Sequence, residues 1–239
     1  MNELKKYENE KDVIKLLEQV EIKTDNLKIF LNAFVHRSYL NENPKFDIEN
    51  NERLEFLGDA VLELSVTKYL FDNYDKQEGE LTALRSALVR GKNLSDIGAS
   101  LGLIDCLLLS AGEKNSSEKA RSLIVANALE AFIGAIYIDK GYDEADAFIK
   151  KQIVDKNIET IIKEKLYIDA KSEFQEKVQE KLKVTPKYMV LEQSGPDHNK
   201  IFICGVYTND KLVAKAEGSS KNIAEQNAAR LALETLFKK

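Results

Sequence analysis

Acidic side chains recur at helical spacing within residues 51–64, whose sequence is NERLEFLGDAVLEL. Each residue of an α-helix advances about 100° around the axis. A helix here would therefore carry its acidic residues along one side: Glu52, Glu55, Asp59 and Glu63. Like charges four positions apart repel each other by a few tenths of a kcal/mol. The stripe is either a solvated acidic face or one side of a site that binds something positive.

A carboxylate also interrupts the apolar stretch 122–139, SLIVANALEAFIGAIYID, which is typical of a helix in the middle of a domain. Glu130 lies in this stretch, with Asn127 about one turn earlier. Burial of an unpaired carboxylate costs several kcal/mol, so Glu130 needs a partner. Arg53 or Arg121 could form an ion pair with it. Alternatively, a divalent cation could lie between this helix and the acidic one.

The second alternative would be an all-oxygen metal site made of three carboxylates and one amide: Glu55, Asp59, Glu130 and Asn127. Such donors suit Mg²⁺, which keeps several waters and takes few protein ligands. A cation held in this way can activate water and clamp the oxygens of a phosphodiester. A cysteine-rich zinc site is excluded, because the chain has only 2 Cys and 2 His. The distant cysteines suggest reduced thiols in a cytosolic protein.

The elements that must position these residues are helical from residue 10 to about 165, because apolar residues recur there at helical spacing. The pattern predicts a helical segment over 27–40, a polar loop over 41–50, a turn at 77–80 and one long helix over 143–166. No apolar run approaches the length needed to span a bilayer. The polar N-terminus contains no signal peptide.

The last part of the chain changes character after a hinge expected near 167–169. From residue 168 onward there are 12 Lys and Arg against 10 Asp and Glu, although the whole chain has a net charge of −5. Helical patterns at 170–182 and 221–237 enclose three segments of β-type composition, at 188–193, 201–208 and 212–217. In the last helix, the residues expected to lie on the sheet are Ala224, Ala228, Leu231 and Leu236.

Residues 51–64 resemble the signature of the ribonuclease III family over their whole length, and the resemblance extends to His36-Arg37-Ser38-Tyr39 and to residues 129–139. The α-β-β-β-α order of the last 70 or so residues resembles a double-stranded-RNA-binding domain. The resemblance implies an all-helical catalytic and dimerisation domain at 1–166 and a small α+β RNA-binding domain at 168–239.

The resemblance also implies an activity: a cytoplasmic, homodimeric endoribonuclease that cuts both strands of double-stranded RNA with Mg²⁺, for which Mn²⁺ can substitute. The products would carry 5′-phosphates and 3′-hydroxyls with a short 3′ overhang. The resemblance implies ribosomal RNA precursors, structured messenger RNA or both as substrates. Neither a membrane nor a small-molecule cofactor is expected.

Carried over by position, the family's metal ligands are Glu55, Asp59, Asn127 and Glu130, and catalysis should depend most on Asp59 and Glu130. Glu52 and Glu78 correspond to acidic positions that line the catalytic valley and engage the scissile strand. Phe56 corresponds to an aromatic residue that enters a socket on the partner subunit. Plain core packing is the alternative explanation for Phe56.

One position departs from the family. Asn127 stands where the family normally has Asp, so the site has one negative charge fewer and should bind Mg²⁺ more weakly. This departure supports the main alternative, a protein that binds double-stranded RNA with impaired or absent cleavage. A carboxylate di-iron bundle is a further alternative. It is disfavoured because the chain contains no Glu-x-x-His.

In the RNA-binding domain, the resemblance assigns three contact regions suited to A-form RNA. Gln175 and Glu176 on the first helix would contact one minor groove. The loop that contains Pro196, Asp197 and His198 would enter the next. Between them, Ser220 and Lys221 would meet phosphates at the start of the last helix, where the helix dipole favours anions. Ser219 and Asn222 occupy positions where the family often has Lys, which predicts a shallower salt dependence.

Overall fold

The chain forms two compact units that divide between Tyr167 and Ile168 in the computed structural model. The structure describes residues 7–163, 166–196 and 200–237. Asp197 and His198, which are expected to contact RNA, lie outside the described residues. Each unit has its own hydrophobic core.

The first unit is helical throughout its described elements. The helices are α1 (Glu10–Gln19), α2 (Leu27–Asn32), α3 (Arg37–Glu42), α4 (Glu52–Asn73), α5 (Glu78–Leu88), α6 (Gly91–Ser100), α7 (Leu103–Cys106), α8 (Ala111–Lys114), α9 (Glu118–Lys140), α10 (Tyr142–Ile149) and α11 (Asp155–Lys163). A π-helical segment, Lys150–Val154, joins the last two. The predicted helix over 143–166 is observed as a helical run from Tyr142 to Lys163 with a π segment inside it, and Leu166 already lies in a turn. Residues 164 and 165 lie outside the described residues.

Helices α4 and α9 cross at the centre of the first unit, with backbone against backbone. A Cβ atom added to Gly58 would lie 1.8 Å from the carbonyl oxygen of Glu130. A Cβ atom on Gly134 would lie 2.3 Å from the carbonyl oxygen of Leu54. The two glycines thus permit an approach that any side chain would block, and they bring the acidic stripe of α4 against the carboxylate of α9.

Helix α9 corrects one expectation from the sequence. By length and composition it is apolar enough to cross a membrane, although no run of that kind was expected. However, 61% of its most apolar 18-residue window is buried within the protein. Its buried residues include Leu129, Phe132 and Ile136, which belong to the core of the first unit. The apolar character of α9 is thus explained by its place in the core.

Two further sequence predictions are wrong in detail. The helical pattern over 27–40 is broken between α2 and α3, because Val35 leaves the helix to form a β-bridge with Leu108. His36 then caps α3, with its side chain accepting a hydrogen bond from the Ser38 N–H. The turn expected at 77–80 contributes only Gln77, since α5 already begins at Glu78.

The second unit packs two helices on an antiparallel sheet. Helix α12 (Ala170–Leu182) precedes strands β1 (Lys187–Ser194), β2 (Ile201–Thr208) and β3 (Lys211–Gly218), and α13 (Lys221–Phe237) follows them. The strand order is β1-β2-β3. Asn209 and Asp210, with φ of 48° and 58°, form the tight turn between β2 and β3.

The contacts of α13 with the sheet differ in part from the sequence expectation. Ala224 and Ala228 are buried as expected, but Leu231 and Leu236 are 44% and 42% exposed. Ala229 and Ala232 are buried in their place. Small side chains therefore set the distance between this helix and the strands.

Candidate active site and RNA-binding surface

Three carboxylates meet where α4 crosses α9. Glu130 is half-buried on α9, and Glu55 is half-buried on α4, one turn before the exposed Asp59. Burial raises the pKa of Glu130 from 4.5 to about 7, and the nearby charges of Asp59 and Glu55 add to this effect. The carboxylates of Asp59 and Glu55 therefore lie close enough to Glu130 to oppose its ionisation.

The structure excludes the two arginines as partners of Glu130. Arg53 lies on the exposed side of α4, where its Nη1 is 3.8 Å from Glu49. Arg121 is exposed, more than two turns before Glu130 on the same helix. Within the described part of the chain, Glu130 has no cationic partner in an ion pair. Among the described residues, therefore, no cation balances the charge of Glu130.

Asn127 occupies the fourth position of the cluster and contacts Glu55. Its side-chain amide donates a hydrogen bond to the Glu55 carboxylate, which lowers the pKa of Glu55. The net pKa of Glu55 is nevertheless raised, because burial is the largest effect and Glu52 and Asp59 add to it. Asn127 therefore contacts Glu55 through its side-chain nitrogen, and its side-chain oxygen is the atom that could coordinate a cation.

The chemistry of this donor set fits a hard divalent cation. In residues 7–163, 166–196 and 200–237, no three His, Cys, Asp or Glu side chains converge tightly enough to enclose a metal ion. Mg²⁺ does not need such a cage, because it keeps several waters and takes one or two carboxylates directly. Carboxylate and amide oxygens at the α4–α9 crossing match that requirement.

Glu52 and Glu78, both expected in the catalytic valley, lie at opposite ends of α4. Glu52 begins α4, one turn before Glu55. Glu78 begins α5 and lines a separate cavity of about 500 Å³ with residues of the other end of α4, among them Leu70 and Phe71. Asp59 and Leu70 are eleven positions apart, which corresponds to about 16 Å along the helix. One chain therefore does not bring Glu78 to the other carboxylates.

Phe56 does not pack in the core of its own chain. It is 82% exposed on α4. Leu64 and Phe71, further along the same helix, are also exposed. At about 100° per residue these three side chains lie within about 80° of one another around the helix. They form an apolar strip beside the acidic stripe. Because Phe56 is exposed, packing in the core of its own chain does not explain it.

Among the described residues, the expected RNA contacts of the second unit are exposed, except for the half-buried Ser220. Gln175 and Glu176 are exposed on α12, and Pro196 is exposed after β1. Ser220 precedes α13, and its hydroxyl accepts a hydrogen bond from the Ile223 N–H at 3.3 Å. Lys221 is exposed at the first position of α13.

Sequence reasoning missed the polar contacts that join the starts of α12 and α13. Asp169 caps α12 and accepts a hydrogen bond from Gln226 Nε2 at 2.7 Å. Lys171 forms an ion pair with Glu225 at 2.5 Å and lies over the Tyr188 ring. An Asp just before a helix is a capping signal, but its partner on α13 is 57 residues away.

Comparisons with known proteins agree with both units. Residues 26–157 match the family model described as ribonuclease-III-like, and residues 170–236 match the double-stranded RNA binding motif. The chain is 44% identical to ribonuclease 3 of Carboxydothermus hydrogenoformans over 89% of this chain and 90% of that protein. It is 41% identical to ribonuclease 3 of Leptospira interrogans over 95% and 92%.

Among solved structures, the chain is similar to the nuclease domain of ribonuclease III from Campylobacter jejuni. The TM-score is 0.53 and the identity 38%, over 59% of this chain and 97% of that one. The description of that structure refers to flexibility in a region involved in dimer formation.

Proposed function

Because this chain belongs to the ribonuclease III family and is an endoribonuclease of double-stranded RNA, we propose that it cuts with Mg²⁺ held at the α4–α9 crossing. The residues that would hold it, directly or through its bound waters, are Glu55, Asp59, Glu130 and the side-chain oxygen of Asn127. The observation that carries this proposal is the half-buried Glu130, which faces Asp59 and Glu55 without a cationic partner in the described part of the chain. Mn²⁺ can substitute, since the donors are all oxygen.

Each side chain has a distinct task. Asp59 is exposed and reaches the solvent side, where RNA arrives. Glu130 approaches from the buried side, and its ionised form is stabilised only when a cation is present. A divalent cation bound there supplies an activated water and neutralises phosphodiester oxygens. The products carry 5′-phosphate and 3′-hydroxyl ends with a short 3′ overhang, as the family resemblance implies.

The active form is a homodimer. Phe56 and the apolar strip of α4 supply its contact surface, because exposed aromatic side chains on a helix gain most from burial against a partner. The Campylobacter jejuni relative also has a region involved in dimer formation. We expect Glu78 of the partner subunit to complete the valley, since Glu78 of the same chain lies at the far end of α4.

In the cell, the enzyme processes ribosomal RNA precursors and structured messenger RNA in the cytoplasm. The second unit binds the duplex by its shape. Gln175 and Glu176 reach one minor groove, the loop with Pro196, Asp197 and His198 reaches the next, and Ser220 and Lys221 meet the phosphates between them.

The proposal is tested by cleavage of a perfect RNA duplex during a Mg²⁺ titration, with the wild type compared with Asn127→Asp. Asp adds a negative charge at the fourth position, so the variant should reach half-maximal rate at about tenfold lower Mg²⁺. Lys151→Gln, at an exposed residue outside α4 and α9, is the control and should match the wild type.

Two results would count against the proposal. If the wild type and Asn127→Asp both bind the duplex yet leave it intact across Mg²⁺ and Mn²⁺ concentrations, the chain is a binding protein. If both cut with the same Mg²⁺ requirement, position 127 is not a ligand.

A further inference from the structure

The start of α3 is fixed against the start of α4 by buried polar contacts. Asn51, only 3% exposed, precedes α4. Its backbone N–H donates to the Val35 carbonyl at 2.9 Å, and its side-chain amide donates to the Ala33 carbonyl at 3.0 Å. The N–H of His36 donates to the Leu108 carbonyl at 3.1 Å. The backbone that carries the next residue, Arg37, is therefore held at a fixed place beside the acidic stripe.

Arg37 projects from this place to the end of the stripe. Its Nη1 lies 3.5 Å from the Glu52 carboxylate, and its side chain is 71% exposed. Burial raises the pKa of Glu55, and the positive charge of Arg37 offsets a small part of that rise. Arg37 thus adds a cation at the mouth of a site that is otherwise built from carboxylates.

That position matters because the substrate is a polyanion. An acidic valley repels RNA wherever a metal ion does not neutralise it, so a neighbouring phosphate needs a separate cation. A guanidinium suits this task, since its planar fork binds phosphate oxygens with two hydrogen bonds. An exposed ion pair such as Arg37–Glu52 adds little to stability, so its carboxylate can be exchanged for a phosphate at little cost.

We propose that Arg37 binds an RNA backbone phosphate next to the scissile bond, and that Glu52 holds the guanidinium ready until the phosphate replaces it. This inference rests on the proposed function, because it assumes that the scissile bond lies at the α4–α9 crossing. It assigns a role to the His36-Arg37-Ser38-Tyr39 segment: His36 and Ser38 anchor the backbone, and Arg37 contacts the substrate.

The test is the salt dependence of kcat/KM for cleavage of a perfect duplex at fixed Mg²⁺. Removal of one phosphate contact should reduce the slope of log(kcat/KM) against log[KCl] by about one. Arg37→Gln should show this loss, and kcat/KM at low salt should fall about tenfold. Arg37→Lys should keep the slope, because it keeps the charge, and recover only part of the rate.

Lys151→Gln is the matched control. Lys151 is an exposed cation paired with a carboxylate on another element, Glu21, at 2.5 Å, so the substitution removes the same charge and the same kind of ion pair. Its slope should equal that of the wild type. Thermal unfolding should show all three variants folded.

The outcomes separate the two proposals. If the wild type does not cut duplex RNA at all, the proposed function fails. If the wild type cuts and Arg37→Gln keeps the slope of Lys151→Gln, Arg37 does not contact a phosphate and only this inference is overturned. A slope reduced by Arg37→Gln alone and restored by Arg37→Lys supports it.

Discussion

At the scale of single residues, Glu130 has a carboxylate that no cationic side chain of the described residues balances. Its half-buried carboxylate faces Asp59 and Glu55, and burial together with these two charges raises its pKa to about 7. A group whose pKa is raised on folding destabilises the folded state at pH values above its unfolded pKa. The chain thus keeps an unfavourable group at the place where a cation would offset it, which is typical of functional sites.

Glu130→Gln should therefore stabilise the metal-free protein while it abolishes cleavage. The pKa rises from 4.5 to about 7 on folding. At about 1.4 kcal/mol per pKa unit, reduced for relaxation and partial solvation, the free energy of unfolding should increase by about 1–3 kcal/mol at pH 8. At pH 4 the carboxyl is protonated in both states, so the gain should vanish. Urea unfolding in EDTA at the two pH values measures both effects.

Glu63→Gln is the control on the same helix. Glu63 forms an ion pair with Arg85 at 3.3 Å, so loss of its charge should bring no gain in stability. Excess Mg²⁺ should reduce the difference in the free energy of unfolding between the wild type and Glu130→Gln, because a bound ion stabilises the protein that binds it. Two results would contradict the raised pKa of Glu130. Glu130→Gln would be no more stable than the wild type at pH 8, or its gain in stability would be as large at pH 4 as at pH 8.

At the scale of elements, the α4–α9 crossing decides whether the site exists. Gly58, which allows the close approach of the two helices, lies between Glu55 and Asp59 on α4. The closest contact between the helices is therefore next to both carboxylates of α4. Gly134 serves the same approach from α9, one turn after Glu130. A change in the distance between the helices would move two carboxylates relative to the third.

Gly58→Ala should destabilise the protein by at least about 3 kcal/mol, because a methyl group 1.8 Å from a backbone oxygen forces the helices apart. Cleavage should fall more than RNA binding, which the second unit retains. Gly79→Ala is the matched control, since nothing lies within 4 Å of its added Cβ. It should be neutral or stabilise α5 by less than about 1 kcal/mol. Equal midpoints of urea unfolding for the two variants would contradict the close approach.

How far the sequence predicts these elements depends on the range of the contacts that form them. Helices α12 and α13 and strand β2 follow their local patterns to the residue, because their periodicity is strong. The break after α2 depends on a bridge from Val35 to Leu108, which local periodicity cannot reveal. The π segment after α10 has no signal of its own in the sequence.

The candidate site divides in the same way. Spacing on α4 and a carboxylate in an apolar helix support the hypothesis that Glu55, Asp59 and Glu130 lie together. The sequence nevertheless leaves open an ion pair of Glu130 with Arg53 or Arg121. The contact of Arg37 with Glu52 was not predictable, because it depends on the break before α3 and on the buried Asn51. The separation of Glu78 from the other carboxylates depends on the length of α4 and the turn after it.

At the scale of the whole molecule, each chain has one RNA-binding domain and one candidate active site. A duplex, however, has two strands to cut. A dimer resolves this mismatch, since a twofold axis presents one site to each strand. The exposed strip of Phe56, Leu64 and Phe71 offers an apolar surface next to the acidic stripe. Assembly would then place two valleys side by side.

Phe56→Ser should therefore dissociate the dimer without unfolding the chain, because Phe56 is 82% exposed in the single protomer. Burial of a Phe side chain is worth about 1.5–3 kcal/mol. In a twofold dimer the substitution acts twice, so Kd should rise at least about a hundredfold. Sedimentation equilibrium measures the dissociation, and Ile14→Ser, at an exposed apolar residue of α1, should leave the dimer intact.

The same variant separates assembly from RNA binding. A monomeric Phe56→Ser chain should keep the duplex affinity of its second unit and lose cleavage, since Glu78 of the partner subunit no longer completes the valley. If cleavage recovers as the protein concentration is raised through the new Kd, the defect is one of assembly. A Phe56→Ser protein that sediments as a dimer, or a monomer that cuts as fast as the wild type, would show that Phe56 is not part of a functional interface.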